Sequence, residues 1–189
     1  MGEPRKKKKP NEATEKGYTE RMSKNILGKE REIRKNKDES LHVFTASGNP
    51  VIQIQGKGAA VRFNAKDVPQ NSILTHNHPR ALGKTGMRAI GNSFSIDDIR
   101  TAVATNAKEI RAVTPTYTFS MKRPKGGWGV DANTAAKIFR QEDARIYMEN
   151  VKHVVKVKSS TTKPEVLHYH LVNRSVAKQL GWNYTKKKG

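Results

Sequence analysis

Two hydrophobic rhythms alternate along this chain, and they predict its elements in order. From Tyr18 to about Lys37, Tyr18, Met22, Ile26 and Ile33 recur at near-helical spacing and predict a weakly amphipathic, charged helix or linker over 18–38. "SLHVFTA" and "VIQIQG" then alternate with a period near two on either side of the turn "SGNP", the pattern of a β-hairpin. "AAVRFNA" and "SILTHNH" predict two further strands, and "RALGKTGMRAIGNS" a Gly-rich basic loop. "FSIDDIRTAVATNAKE" returns to helical spacing, with Ile96, Ile99 and Val103 on one face. "IRAVTP" and "YTFSMKRP" read as strands, and Asp131 as the N-cap of a helix through "ANTAAKIFRQEDARIYMENV". "HVVKVK" and "EVLHYHLV" alternate like strands, and "RSVAKQLG" is a short helix closed by Gly181. Mixed strands and helices around one sheet make the fold class α/β or α+β. One domain over 39–181 is expected, flanked by a disordered basic tail at 1–17 and a basic C-terminal tail at 182–189.

Charge changes the picture of the ends. The formal charge is +20; residues 1–38 hold 13 Lys and Arg against 7 Asp and Glu, and residues 152–189 hold 9 against 1. Such an excess points to a polyanion partner, DNA or RNA, held through phosphate contacts by Lys6, Lys7, Lys8 and Lys9 at one end and Lys186, Lys187 and Lys188 at the other. The bland alternative is that the lysines serve solubility. There is no cysteine, which excludes disulfides, thiol nucleophiles and Cys-type zinc sites. No apolar run is long enough to span a bilayer and the basic start lacks a signal-peptide core, so the expected location is cytoplasmic or virion-associated, not secreted.

Candidate chemistry is concentrated in "ILTHNHPRAL" and "FSIDDI". On a strand, His76 and His78 project to one face roughly 7 Å apart along the chain, and Pro79 ends the ladder just after them. Seventeen residues after His78, Ser95 opens a helix whose first turn contains Asp98, kept ionised by the helix N-terminus. Two neutral imidazoles and one carboxylate make three protein ligands for Zn2+ and leave a fourth position for water, the open arrangement of a catalytic zinc. Glu39, just ahead of the first hairpin strand, is the candidate general base. Each feature also has a structural reading: His-x-His as polar punctuation at a strand end, and Ser95 with Asp98 as a capping box.

In combination and order, Glu39, His76-x-His78 and Ser95-x-x-Asp98 resemble the JAB/MPN superfamily of metallopeptidases, the proteins with a JAMM motif, and "HNHP" resembles its RadC-like branch. The resemblance covers roughly 39–118. It implies a cytidine-deaminase-like architecture, with His76, His78 and Asp98 as zinc ligands, Glu39 as catalytic acid and base, and Ser95 as donor to the polarised oxygen of a peptide or isopeptide substrate. The gap from His78 to Ser95 is longer than usual for that family and contains Arg80, Lys84 and Arg88, candidates to hold an anionic substrate. A looser similarity links "HNHP", the helix start and "LGWNYTKKK" to C-terminal domains of phage minor head and head-morphogenesis proteins.

Two rival functions fit the same residues. A metal-dependent nuclease would use the His-rich turn with Asp97 and Asp98, and a non-enzymatic assembly protein would keep a relict site. The literal H-N-H spelling is accidental, and Gly83-Lys84-Thr85 lacks the first glycine of a P-loop. His168-Tyr169-His170, His42 and His153 read as ordinary strand residues, and Trp128, Trp182 and Tyr184 as packing anchors.

Overall fold

The computed structural model describes residues 24–58, 60–79, 93–154 and 164–189, the side chains of 150–154 and 164–167 excepted. Residues 24–33 form helix α1. The elements that follow are β1 (Ser40–Phe44), β2 (Pro50–Gln55), β3 (Ile73–Asn77), α2 (Ile96–Ala104), β4 (Glu109–Val113), β5 (Tyr117–Lys122), α3 (Ala132–Val154), α4 (Pro164–Leu180) and β6 (Asn183–Lys188). The six strands make one mixed sheet in the order β2-β1-β3-β4-β5-β6. Its one parallel pair is β3 with β4, joined through α2, and every other pair is antiparallel.

Period-two burial explains the two layers. Leu41, Val43, Leu74, Ile110, Ala112, Phe119 and Met121 share the main core with Ile99 of α2, Phe139 of α3 and Val172 and Val176 of α4. The opposite face is covered by α1, where Ile26 packs on Phe44 and Ile73. That face is partly polar. Glu30 of α1 is 2% exposed, and its carboxylate accepts from Arg111 Nε (2.5 Å), Arg111 Nη2 (3.1 Å) and Thr75 Oγ1 (3.2 Å). Glu109 accepts from the same guanidinium and from Ser120 Oγ, each at 2.6 Å. Burial disfavours the Arg111 charge, but Glu30 and Glu109 outweigh it and hold the guanidinium firmly protonated.

Several sequence expectations change here. "EVLHYHLV" lies inside α4, not in a strand, and "RSVAKQLG" is the end of that same helix, closed by Gly181 at a φ of 68°. Tyr169, Val172, Val176 and Leu180 supply a helical stripe that overrides the local alternation. Residues 182–189 are not a tail: Asn183–Lys188 pairs along β5, Tyr184 faces the core, and Lys186 Nζ stands 4.4 Å from the centre of the Tyr117 ring. "AAVRFNA" forms no strand; its end runs into a short 3-10 turn at Ala65–Asp67. Asp131 caps α3 through Oδ1, which accepts from the Asn133 and Thr134 amides at 2.8 and 2.9 Å. Lys6, Lys7, Lys8, Lys9, Arg80, Lys84 and Arg88 lie outside the described residues, as do Tyr18, Met22 and the expected disordered tail at 1–17. Among the described residues, no helix is long and apolar enough to cross a membrane.

Candidate metal centre

The parallel β3–α2–β4 unit brings the chemistry to one end of the sheet. His76 sits on β3 opposite Leu41 of β1 and Ala112 of β4, with its ring centre 6.5 Å from that of Phe94. His78 lies just past the strand, yet its amide still donates to Val113 O at 2.8 Å, so the extended line continues and both imidazoles reach the same side. Their Nε2 atoms are 2.9 Å apart. Asp98, in the first turn of α2, places Oδ1 3.1 Å from His76 Nε2 and Oδ2 3.5 Å from His78 Nε2.

Donors about 2.0–2.1 Å from one tetrahedral ion lie roughly 3.3–3.4 Å apart. The three separations sit within about half an ångström of that value, and two imidazoles with one carboxylate are a donor set that zinc accepts. Burial works against the ionised Asp98 carboxyl, but the charges and hydrogen bonds of His76 and His78 outweigh it and hold the group well below the usual carboxylate range.

Glu39 immediately precedes β1 and is half-buried. One carboxylate oxygen and the ring nitrogens of His76 and His78 lie within 4.8 Å of one another, a group that itself is able to hold a metal ion. Burial raises the Glu39 carboxyl; His76 and His78 pull it down, and Asp98 pushes it up. Its backbone is fastened on the β2 side, where the Glu39 amide donates to Gly58 O (2.7 Å) and the Gly56 amide donates to Glu39 O (2.8 Å). A Cβ at Gly56 would stand 2.8 Å from Glu39 O and closer still to Ala60 O, so only glycine allows this approach.

Ser95 occupies the N-cap of α2 in a reciprocal capping box with Asp98. Its Oγ donates to Asp98 Oδ2 (2.8 Å) and accepts from the Asp98 amide (3.2 Å), and its amide donates to the same Oδ2 (2.7 Å). Structural and chemical readings of "SIDD" therefore coincide: the cap aims the carboxylate at the histidines. The exposed Ser95 hydroxyl is thus committed to Asp98 as a donor.

A buried polar chain behind the site was not visible in the sequence. Tyr184 OH meets Ser93 Oγ at 2.8 Å and His170 Nδ1 at 2.9 Å. Asn173, fully buried, donates to Phe94 O and Tyr169 O, each at 2.8 Å. Together they pin Ser93 and Phe94, the two residues that lead into the cap. Burial pushes the Tyr184 phenol up, opposed by the bond to Ser93, so the hydroxyl stays protonated. Tyr184→Phe is expected to destabilise the fold by about 1–2 kcal/mol, because it leaves polar partners unpaired in the interior; a shifted urea midpoint at constant slope checks this.

His42 and His168, among the described side chains, make structural contacts. His42 is buried with Nε2 3.3 Å from Ser40 Oγ, and His168 of α4 pairs with Asp143 of α3 at 2.6 Å. The indole N–H of Trp128 donates to Ala107 O and that of Trp182 to Trp128 O, which seats both rings in the core. Comparisons with protein-family models, curated proteins and solved structures found no match to this chain.

Proposed function

We propose that this protein is a zinc-dependent hydrolase of peptide or isopeptide bonds, of the JAB/MPN type that its motif resembles. The observation that carries the reading is the convergence of His76, His78 and Asp98, from two separate elements, on one point beside Glu39. His76, His78 and Asp98 would hold the metal. Bound there, zinc supplies Lewis acidity toward a carbonyl and acidifies water.

The remaining roles belong to the chain. Asp98 contacts both imidazoles directly, which suits a ligand; Glu39 stands off on the β1 side, which suits a group that moves protons. Glu39 takes the proton of the attacking water and delivers it to the leaving amine. The Ser95 hydroxyl, once released from Asp98, donates to the oxygen of the tetrahedral intermediate. A partly buried carboxylate with a raised proton affinity suits a group that must both accept and return a proton. The basic lysines of β6, with the clusters at Lys6–Lys9 and in the loop after His78, would localise the enzyme on nucleic acid or an acidic partner.

Metal content tests the site. Protein purified without added metal, then offered zinc at neutral pH, is expected to hold about one zinc per chain by elemental analysis, and His78→Ala and Asp98→Ala to hold none. Zinc retained by both variants, or absent from the wild type, would overturn the assignment. Cleavage of peptide and isopeptide substrates, assayed beside DNA and RNA nicking, separates the hydrolase from a nuclease.

A further inference from the structure

We infer that Asn77, the residue between the two histidines, is a positioning residue that sets the separation of Glu39 from His76 and His78. This deepens the reading of the site as a metallohydrolase and rests on it. The side chains of His76 and His78 point to the catalytic side of the sheet, so the side chain between them points to the other. There Asn77, 1% exposed, bridges to the segment that carries Glu39.

Its Oδ1 accepts from the Ser40 amide (2.8 Å) and from Ser40 Oγ (2.9 Å), while Nδ2 donates to Asp38 O (3.0 Å). The three bonds grip the residues immediately before and after Glu39. The backbone register between β1 and β3 ends at Leu41 and His76, so beyond that point the Asn77 amide does the work of the missing ladder. A side chain is longer than a direct backbone bond. Substituting one for the other fixes how far Ser40 and Asp38 stand from β3, with Glu39 between them.

The geometry divides the labour around Glu39. Gly56 and Gly58 hold its backbone to β2, and Asn77 ties that hairpin end to the strand bearing the histidines. On the far side, the bond from His78 N to Val113 O holds the same strand to β4. Asn77 therefore governs where Glu39 stands relative to the imidazoles, without touching the metal position or the substrate.

The test compares wild type, Asn77→Ala and Asn77→Asp, which keeps both acceptor contacts from Ser40 but loses the donor and sets a buried carboxylate oxygen against Asp38 O. Asn77→Ala is expected to keep about one zinc per chain, since none of the proposed ligands changes, and to lower kcat about 10²-fold with KM little changed, because loss of alignment costs turnover rather than substrate affinity. Asn77→Asp recovers part of the loss. In metal-free protein, nuclear Overhauser contacts between the Glu39 methylenes and the His76 and His78 ring protons are expected in wild type and lost in Asn77→Ala, with faster exchange of the Ser40 amide. Persistence of those contacts and of slow exchange in Asn77→Ala would overturn the inference, as would loss of zinc in step with activity. If Asn77→Ala does not fold, the same measurements on Asn77→Asp decide: an unchanged Glu39 position and rate overturn the inference, and a partial loss of both supports it. A wild type that neither binds zinc nor hydrolyses peptides defeats the functional reading; the metal-free contacts still test the clamp on their own.

Discussion

Glu39→Gln is expected to keep zinc at about one per chain and to lower the hydrolytic rate roughly 10²–10⁴-fold, the range that a positioned acid or base contributes. The amide is isosteric and keeps the backbone bonds to Gly56 and Gly58, so the hairpin end stays in place. It cannot accept the proton of an attacking water. The paired measurement is elemental zinc content beside kcat/KM on a peptide substrate. Zinc lost in Glu39→Gln would make Glu39 a ligand instead, a role its place in the Glu39–His76–His78 group allows. Zinc and rate both retained would remove it from the chemistry.

The largest effect on stability is expected on the opposite face of the sheet, beneath α1. Glu30→Ala should cost about 3 kcal/mol, the lower end of what is seen when one partner of a buried ion pair is removed. Arg111, with its side chain 18% exposed, keeps Glu109, which limits the loss; Thr75 Oγ1 and half of the guanidinium are left without their acceptor. Urea unfolding measures it as a lowered midpoint. A second result follows from which element carries Glu30. Because α1 is fastened by Glu30 and by Arg34, whose guanidinium donates to Tyr117 O (3.2 Å) and Thr118 Oγ1 (2.8 Å), the variant should expose α1 to protease before the rest of the domain. A midpoint within a few tenths of wild type would mean that the network is no more than a specificity device, as some buried pairs are.

What could be read from the sequence was whatever is local. β1, β2, β3, α2, β4, β5 and α3 each carry their own periodicity, and the Asp131 cap announces the start of α3. Partners in the candidate site were also legible because three of them are fixed by short-range geometry: His76 and His78 by strand alternation, Asp98 by its distance from a capping serine. Glu39 had only its order along the chain to recommend it, and its place beside the histidines depends on how β1 pairs with β3. The errors share a cause. "EVLHYHLV" alternates over a few residues, but its face is chosen by Phe139, which stacks on Tyr169 from another helix. "NYTKKK" has one apolar residue, too few for a strand signal, and becomes a strand because β5 offers it an edge and the Phe119 ring stacks on Tyr184. Nothing local in the sequence marks Glu30 and Arg111 as partners, because only the sheet and α1 together bring them into one buried network. Asn77 has no sequence signal either, since nothing in its neighbourhood along the chain names Ser40 or Asp38 as partners.

The β6 edge gives the site a remote dependence. This strand pairs with β5 across the whole of α3 and α4, and through Tyr184 it holds Ser93, two positions before the residue that aims Asp98. Chain ends open locally at low free energy, and an opening of β6 withdraws the phenol from Ser93 and His170 without breaking a contact of His76 or His78. The entrance to α2 thus rests in part on the docking of a lysine-rich strand at the margin, while Asn173 of α4 holds Phe94 independently.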